Sequence, residues 1–287
     1  MTNSPLIVGE NSSEDTARRA AAQSATRGTV ASDAVYGATP TFDTFVFDLD
    51  GTLLDTLPDL VVITNRALAR EGYPPRTREE IHSFVGNGLM ALMFQAVPEG
   101  TPSGAAERAM ERWKELFPTY ANDLTIPYPK VQEMLDDLRK RGYKLGVLSN
   151  KFDAGVQQVM NQKLPGVFEV MHGECAEIPR KPDPTGLLRT IRELGSVPER
   201  AVYVGDSPGD VRTARNAGVY AVAVTWGYHD EADFAAEDAS PDLMAYSPLD
   251  LLSLVAAADD CDAPDVSRET PDRSKATPPA VAEEAGA

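Results

Sequence analysis

The spacing of hydrophobic residues changes along the chain, and these changes predict the order of its elements. Phe45–Phe47 is a β-branched and aromatic run, which predicts a short buried strand over 44–49. Apolar residues then recur at intervals of three and four, which predicts helices at 58–70, 77–84, 89–97 and 105–120. The stretch 57–122 is therefore expected to be an all-helical insert after the first strand.

Helical and strand-like patterns alternate from residue 123 onward. Short apolar runs predict strands at 144–148, 167–171, 201–204 and 221–224. Amphipathic segments predict helices at 131–141, 154–162, 184–194, 211–217 and 247–258. Such alternation indicates a parallel sheet with helices on both faces. The predicted fold class is α/β, a Rossmann-like core of 41–56 and 123–258 that carries the helical cap of 57–122.

Both ends of the chain differ from this pattern. Residues 1–40 are rich in Ala, Ser, Thr and Gly, and 259–287 are rich in Pro, Asp, Glu and Ala. Neither segment has enough apolar residues to offset the entropy of ordering. We expect a mobile N-terminal extension and a disordered acidic tail.

The charge balance restricts the class of partner. The chain has 27 Lys plus Arg against 44 Asp plus Glu, a net charge of -17. This field repels nucleic acid and anionic membrane surfaces, so neither is an expected partner. The two cysteines form no disulfide framework, and the N-terminus lacks a secretory signal. A cytoplasmic protein, monomeric or homodimeric, is the expectation.

Polar residues cluster where the predicted strands end. In an open α/β sheet the carboxyl ends of the strands form the ligand-binding edge. Each cluster has a structural alternative, since Asp-Gly is a common turn, Ser-Asn a common helix cap and a turn lysine usually solvated. Their occurrence at successive strand ends favours one shared site. The clusters are Asp48 and Asp50, Ser149 and Asn150, Lys181, and Asp206 with Asp210.

These residue types suit phosphoryl transfer. An aspartate can attack phosphorus and form an acyl phosphate. A second acid two residues on can protonate the leaving oxygen and later take a proton from water. Several carboxylates together bind magnesium, while a lysine, a serine hydroxyl and backbone N–H groups hold the phosphoryl oxygens.

The motifs Asp48–Thr52, Ser149-Asn150, Lys181-Pro182 and Gly205–Asp210 resemble those of the haloacid dehalogenase-like superfamily. The resemblance implies that Asp48 is the nucleophile and Asp50 the acid/base. It implies magnesium binding by Asp48, the backbone carbonyl of Asp50 and Asp206, with Asp210 in support. The phosphoryl group would be bound by Thr52, Ser149, Asn150 and Lys181.

Asp50 and the helical insert narrow the expected activity. Members that cleave carbon–halogen bonds normally lack an acid at the position of Asp50, so its presence favours a phosphatase or phosphomutase. The insert resembles the cap of the phosphoglycolate phosphatase subgroup, and its turn could bind the non-phosphate end of the substrate through Gly86, Asn87 and Gly88. A flexible interhelical connection is the alternative for this turn. Lys130 departs from the subgroup, which usually has glycine there.

The expected function is a magnesium-dependent phosphatase acting on a small phosphorylated metabolite, with 2-phosphoglycolate as the expected substrate. Other small-phosphate hydrolases, such as a pyrophosphatase or a sugar-phosphate phosphatase, remain open. A β-phosphoglucomutase-like mutase also remains open. A catalytically silent scaffold is disfavoured, because Asp48, Asp50, Lys181 and Asp206 are all present.

Overall fold

Six strands form one parallel sheet in the computed structural model, which describes residues 42–255. The strands in chain order are β1 (Thr44–Phe47), β2 (Leu54–Asp55), β3 (Ile126–Pro127), β4 (Lys144–Phe152), β5 (Val170–Glu174), β6 (Ala201–Gly205), β7 (Tyr220–Val224) and β8 (Leu243–Ala245). The sheet order is β5-β4-β1-β6-β7-β8, and β2 pairs with β3 in a separate two-stranded antiparallel sheet. The central strand β1 lies between β4 and β6, with Phe45 opposite Leu145 and Val202.

Helices cover both faces of the sheet. They are α1 (Leu57–Arg70), α2 (Arg78–Phe84), α3 (Gly88–Ala96), α4 (Ala105–Leu116), α5 (Val131–Lys140), α6 (Asp153–Lys163), α7 (Thr185–Glu193), α8 (Pro208–Ala217) and α9 (Glu231–Ala236). Alternate residues of a strand point to opposite faces. Phe45 and Phe47 accordingly belong to one hydrophobic cluster and Val46 to the other. The predicted fold class is confirmed.

The helices α1–α4 form the cap, which enters and leaves the core through the β2–β3 pair. Leu54 is paired with Pro127, and Asp55 with Ile126. Just inside the cap, the buried carboxylate of Asp59 accepts hydrogen bonds from Tyr120 Oη (2.8 Å) and from the backbone N–H of Thr125 (2.6 Å). Backbone pairing and the buried carboxylate of Asp59 therefore hold together the two segments that connect the core to the cap.

Several element boundaries differ from the sequence prediction. Strand β5 covers Val170–Glu174 rather than 167–171, because Val167 is buried in the loop that precedes the strand. The helix predicted at 247–258 is a 3₁₀ helix at Pro248–Leu254. The pair β2–β3, the three-residue strand β8 and helix α9 were not predicted, since each is too short to show a period.

Two predicted segments, the N-terminal extension (1–40) and the acidic tail (259–287), lie outside the described residues. Within 42–255, no helix has both the length and the apolar character needed to cross a membrane.

Lys130 has an unusual backbone conformation. It precedes α5 with φ of 68°, in the left-handed region where a Cβ is disfavoured. Its side chain is exposed, so no burial offsets this strain.

We expect Lys130→Gly to raise the free energy of unfolding by about 1 kcal/mol, because glycine adopts this conformation without steric cost. Urea denaturation followed by circular dichroism measures the change. Glu133→Gly, an exposed position in the first turn of the same helix, is the control and should lower stability by about 0.5–1 kcal/mol. An equal loss in both variants would contradict the strain assignment.

Candidate active site

The predicted site residues meet at the carboxyl edge of the sheet. Asp48 follows β1, Ser149 lies near the end of β4, and Asp206 follows β6, and these three strands are neighbours. The backbone N–H of Asp48 donates to the carbonyl of Val204 (2.8 Å), which extends the pairing of β1 with β6 by one step. Parallel neighbours therefore bring together residues that are separated by up to 158 positions in the sequence.

A cavity of about 60 Å³ lies between this edge and the cap. Its core side is polar and its cap side mostly apolar, so it can bind a small ligand with one charged end. The core contributes Asp48, Asp50, Ser149, Asn150, Lys151, Phe152, Lys181, Asp206, Ser207, Tyr228 and His229. The cap contributes Leu60, Val85, Gly86, Gly88, Leu89, Leu92 and Trp113.

Three buried carboxylates form the floor of the site. Asp48, Asp206 and Asp210 each offer an oxygen, and these oxygens lie within 4.8 Å of one another. Glycine is required beside them, because a Cβ at Gly51 would overlap the carboxylate of Asp206 and a Cβ at Gly205 that of Asp210. Small residues next to strand ends thus let the acids approach the backbone closely.

Lys181 is the buried cation that contacts this cluster. Its Nζ lies 2.8 Å from Asp48 Oδ1 and donates to Asp210 Oδ1 at 2.7 Å. Burial disfavours the ammonium ion, yet Asp210 and Asp48 raise the pKa of Lys181 well above its ordinary value. The lysine is therefore charged at neutral pH.

Asp210 is fully satisfied by hydrogen bonds. Besides Lys181, it accepts from Tyr203 Oη (3.1 Å) and from Ser207 Oγ (2.5 Å) and N–H (3.0 Å). Burial alone would raise the pKa of Asp210, but Lys181 and Ser207 lower it below the ordinary value. Asp210 thereby fixes both Lys181 and the start of α8.

Asp48, by contrast, has an unsatisfied oxygen. Its contact with Lys181 is an ion pair outside hydrogen-bonding geometry, so Oδ1 accepts no hydrogen bond within residues 42–255. Burial raises the pKa of Asp48 to about 7; Lys181 opposes the shift, and Asp210 and Asp206 add to it. At neutral pH the carboxyl group of Asp48 is therefore close to the midpoint of its ionisation.

The donor set fits a divalent cation. With all three acids ionised, one ammonium leaves two negative charges uncompensated in a buried cluster, which is unfavourable without a further cation. Hard divalent cations prefer carboxylate oxygens. Asp48 and Asp206 would supply those oxygens, and the orphaned Oδ1 of Asp48 would gain a partner.

Asp50 lies at the cavity wall and has two partners that the sequence analysis did not identify. Lys151 Nζ lies 2.9 and 3.1 Å from its two carboxylate oxygens, and Thr56 Oγ1 donates to Oδ1 at 2.5 Å. The Lys151 side chain is only 7% exposed. Tyr228 Oη in turn lies 3.1 Å from Thr56 Oγ1. In the sequence, Lys151 directly follows Ser149-Asn150, and this position was the signal that could have identified it as a residue of the site.

The residues predicted to bind the substrate differ in whether they line the cavity and in which groups they contact. Ser149 is buried and lines the cavity. The hydroxyl of Thr52 donates to Asp206 Oδ1 (3.1 Å), and the side chain of Asn150 is bonded to backbone groups. Gly86 and Gly88 line the cavity, whereas the carbonyl of Asn87 accepts a hydrogen bond from Arg180 (2.6 Å).

Two further groups at the cavity were not foreseen. His229 Nδ1 lies 3.9 Å from Asp206 Oδ2, and this carboxylate raises the pKa of the histidine. Trp113 is fully buried, lines the cavity and has an indole N–H without a partner among residues 42–255. Its ring stacks on Phe117 (4.9 Å between centroids), which fixes its orientation. No sequence motif distinguishes either residue.

The model of the haloacid dehalogenase-like hydrolase family matches residues 45–224. The phosphoglycolate phosphatase of Pseudomonas putida KT2440 is 34% identical over 212 residues, which are 71% of this chain and 78% of the relative. That of Caulobacter vibrioides is 35% identical, over 72% of this chain and 88% of the relative. The crystal structure of a predicted phosphoglycolate phosphatase from Haemophilus somnus superposes with a TM-score of 0.68 at 28% identity, over 76% of this chain and 99% of that chain.

The chain belongs to the haloacid dehalogenase-like hydrolase family. It is a phosphoric monoester hydrolase and resembles the phosphoglycolate phosphatases among its relatives.

We expect a divalent cation to stabilise the wild type but not Asp206→Asn. Binding at a hundredfold excess over Kd contributes about 2.7 kcal/mol, which raises Tm by several degrees. Thermal unfolding with and without Mg²⁺, with EDTA as reference, measures the shift. Asp136→Asn, at an exposed position of α5, is the control and should keep the full shift. An unchanged shift in Asp206→Asn would exclude Asp206 as a ligand.

Proposed function

We propose that the protein is a magnesium-dependent phosphatase that hydrolyses 2-phosphoglycolate through an aspartyl-phosphate. The observation that carries this proposal is the buried carboxylate of Asp48, whose Oδ1 lies 2.8 Å from the Lys181 ammonium and accepts no hydrogen bond within residues 42–255, beside two further acids. Carboxylates and a lysine grouped in this way at a cavity suit transfer of a phosphoryl group to an acid.

The residues divide the reaction into two steps. A carboxylate oxygen of Asp48 attacks phosphorus and the bond to the ester oxygen breaks. Asp50 enters this step in its protonated form, donates its proton to the departing alkoxide and becomes a carboxylate. Water then attacks phosphorus with Asp50 as the base, and Asp48 leaves as a carboxylate. Lys181 and the hydroxyl of Ser149 hold phosphoryl oxygens.

Asp48, Asp206 and the backbone carbonyl of Asp50 would hold Mg²⁺, and Asp210 would support the site. The ion would neutralise charge between the carboxylate of Asp48 and the phosphate dianion. Orientation of Asp50 comes from the chain itself, through Thr56 and Lys151.

The substrate assignment rests on size, charge and relatives. A cavity of about 60 Å³ suits a compact phosphomonoester, and the relatives in Pseudomonas putida and Caulobacter vibrioides are phosphoglycolate phosphatases. Lys151 is a second buried ammonium in the cavity, in addition to Lys181. We propose that it also attracts the carboxylate of the substrate. Trp113 lines the otherwise apolar cap wall, and its indole N–H has no hydrogen-bond partner among residues 42–255.

Phosphate release from a panel of phosphomonoesters tests the reaction. We expect 2-phosphoglycolate to have a higher kcat/KM than hexose phosphates or pyrophosphate. A higher value for a hexose phosphate would refute the substrate assignment and leave the reaction class intact. Conversion of one sugar phosphate isomer to another with little free phosphate would indicate a mutase.

We expect Asp48→Asn to lower kcat by at least about 10³-fold, because loss of a covalent nucleophile removes the main route. Asp50→Asn should lower kcat by about 10²–10⁴-fold, the range of general acid–base catalysis. Mass spectrometry of acid-quenched wild type should show an added phosphoryl group that Asp48→Asn lacks. Wild-type turnover in Asp48→Asn would reject the covalent mechanism.

We expect Lys151→Met to lower kcat/KM for 2-phosphoglycolate about 10- to 100-fold more than for ethyl phosphate, which lacks the carboxylate. A charge-assisted hydrogen bond of about 1.5–3 kcal/mol sets this range. Because Lys151 also pairs with Asp50, the ratio of the two substrates is the informative quantity. Exposed Lys140→Met is the control. An equal loss for both substrates would limit Lys151 to its contact with Asp50.

A further inference from the structure

The side chain of Asn150 bridges the cap and the catalytic lysine. Its Nδ2 donates to the carbonyl of Gly86 (2.8 Å) and, more weakly, to the carbonyl of Lys181 (3.5 Å), and its Oδ1 accepts from the backbone N–H of Lys181 (2.7 Å). The residue is buried, with 9% of its surface exposed. Both ends of the amide are therefore committed to backbone groups, one in the cap and one in the core.

A second contact fixes the same cap turn. Arg180, the residue before Lys181, donates from Nη1 to the carbonyl of Asn87 (2.6 Å), and its Nε lies 3.1 Å from Glu174 Oε1. We name residues 86–88 the cap turn. Its carbonyl at Asn87 is bound by Arg180, and its carbonyl at Gly86 is bound by Asn150, which also accepts from the N–H of Lys181.

Gly88 shows how closely the cap turn approaches the core. Its φ is 79°, and a Cβ there would lie 2.8 Å from Glu174 Oε2, 3.1 Å from Arg180 Cδ and 3.3 Å from the carbonyl of Asn150. The positive φ favours glycine at this position, and a Cβ would require the side chains of Glu174 and Arg180 to move. The cap turn is therefore in close contact with the core.

We infer that Asn150 is a positioning residue that couples docking of the cap turn to the placement of Lys181. Bonded contacts run from the carbonyl of Gly86 through Asn150 to the backbone of Lys181, whose ammonium lies 2.8 Å from Asp48. Gly86 and Gly88 line the same cavity as Asp48, so displacement of the cap turn changes the wall of the cavity that receives the substrate. Redocking then restores the hydrogen bond that orients Asn150 and, through it, Lys181.

The consequence for turnover rests on the proposed phosphatase activity, whereas the docking contact itself does not. The test therefore begins with amide hydrogen exchange of the full chain without substrate, followed by mass spectrometry. Two segments are compared. One is the cap turn together with helix α3, which begins at Gly88 and contains hydrogen-bonded N–H groups, and the other is the residues around 181. Hydrogen exchange reports local opening in each segment separately.

Three variants separate the contacts. Asn150→Asp keeps an acceptor for the N–H of Lys181 but loses the donor to the carbonyls of Gly86 and Lys181, and Asn150→Ala loses donor and acceptor. Arg180→Met loses the bond to Asn87 and the ion pair with Glu174 but leaves Asn150 unchanged. We expect at least tenfold faster exchange in the cap turn for all three. We also expect at least threefold faster exchange at the N–H of Lys181 in Arg180→Met, although Asn150 is intact there. Arg189→Met, a surface arginine paired with Glu193, is the control and should match wild type.

Two results would overturn the inference. Wild-type exchange of the cap turn in Asn150→Asp would show that Asn150 does not hold the cap. An exposed cap turn with wild-type protection of the Lys181 N–H in Arg180→Met would show that Lys181 is placed independently of the cap. Arg180 lies partly exposed, so Arg180→Met remains informative even where Asn150→Ala fails to fold.

Steady-state kinetics provide the functional readout. We expect Asn150→Ala to lower kcat about tenfold or more, with a smaller change in KM, because Lys181 loses its orientation. Asn150→Asp should recover part of kcat, since the acceptor for Lys181 is restored. Unchanged kcat in Asn150→Ala with altered hydrogen exchange would confine Asn150 to a structural role. An inactive wild type would instead reject the proposed function and leave the exchange test valid.

Discussion

The main constraint on the site is the repulsion among three buried carboxylates, which offer oxygens within 4.8 Å of one another. Among residues 42–255, the Lys181 ammonium is the cation that pairs with two of them. This arrangement costs folding free energy, since buried charge is poorly compensated in a protein interior. The protein reduces the cost by fixing Asp210 with Lys181, Tyr203 and Ser207. Within residues 42–255, Oδ1 of Asp48 lies against the Lys181 ammonium but accepts no hydrogen bond, so this carboxylate retains the capacity to react and to bind a cation.

The sheet order explains why these groups meet. With β4 and β6 on either side of β1, the strand ends that carry Ser149, Asp48 and Asp206 are adjacent. Gly51, in the loop after β1, and Gly205, the last residue of β6, are positions where a side chain would collide with a carboxylate. The backbone pairing of the core, which is buried and apolar on both faces of β1, thus provides the rigid frame that holds like charges together.

Sequence reasoning succeeded for the core acids because chain order determines their place. Asp48 and Asp206 follow strands that a buried apolar run identifies, and the alternation of elements predicts that these strands are parallel. The sequence analysis failed for residues that reach the site through packing between distant elements. The partner of Asp50 is Lys151, 101 residues away, and Trp113 reaches the cavity only through the packing of the cap helices. Short edge elements such as β8 gave no periodic signal, because they contain fewer residues than one full pattern.

The junction between core and cap also belongs to the chemistry. Thr56 immediately precedes α1, the first cap helix, and its hydroxyl donates to Asp50 while its backbone N–H donates to Tyr228 Oη (3.1 Å). Burial raises the pKa of Tyr228 well above its ordinary value, so the phenol stays neutral and available as a hydrogen-bonding partner. Tyr228 also packs edge-on against His82 of the cap, with 5.4 Å between ring centroids. Asp50 is therefore oriented by Thr56, the residue that precedes the first cap helix. A movement of the cap relative to the core changes the surroundings of Asp50, for which we propose the proton-transfer role.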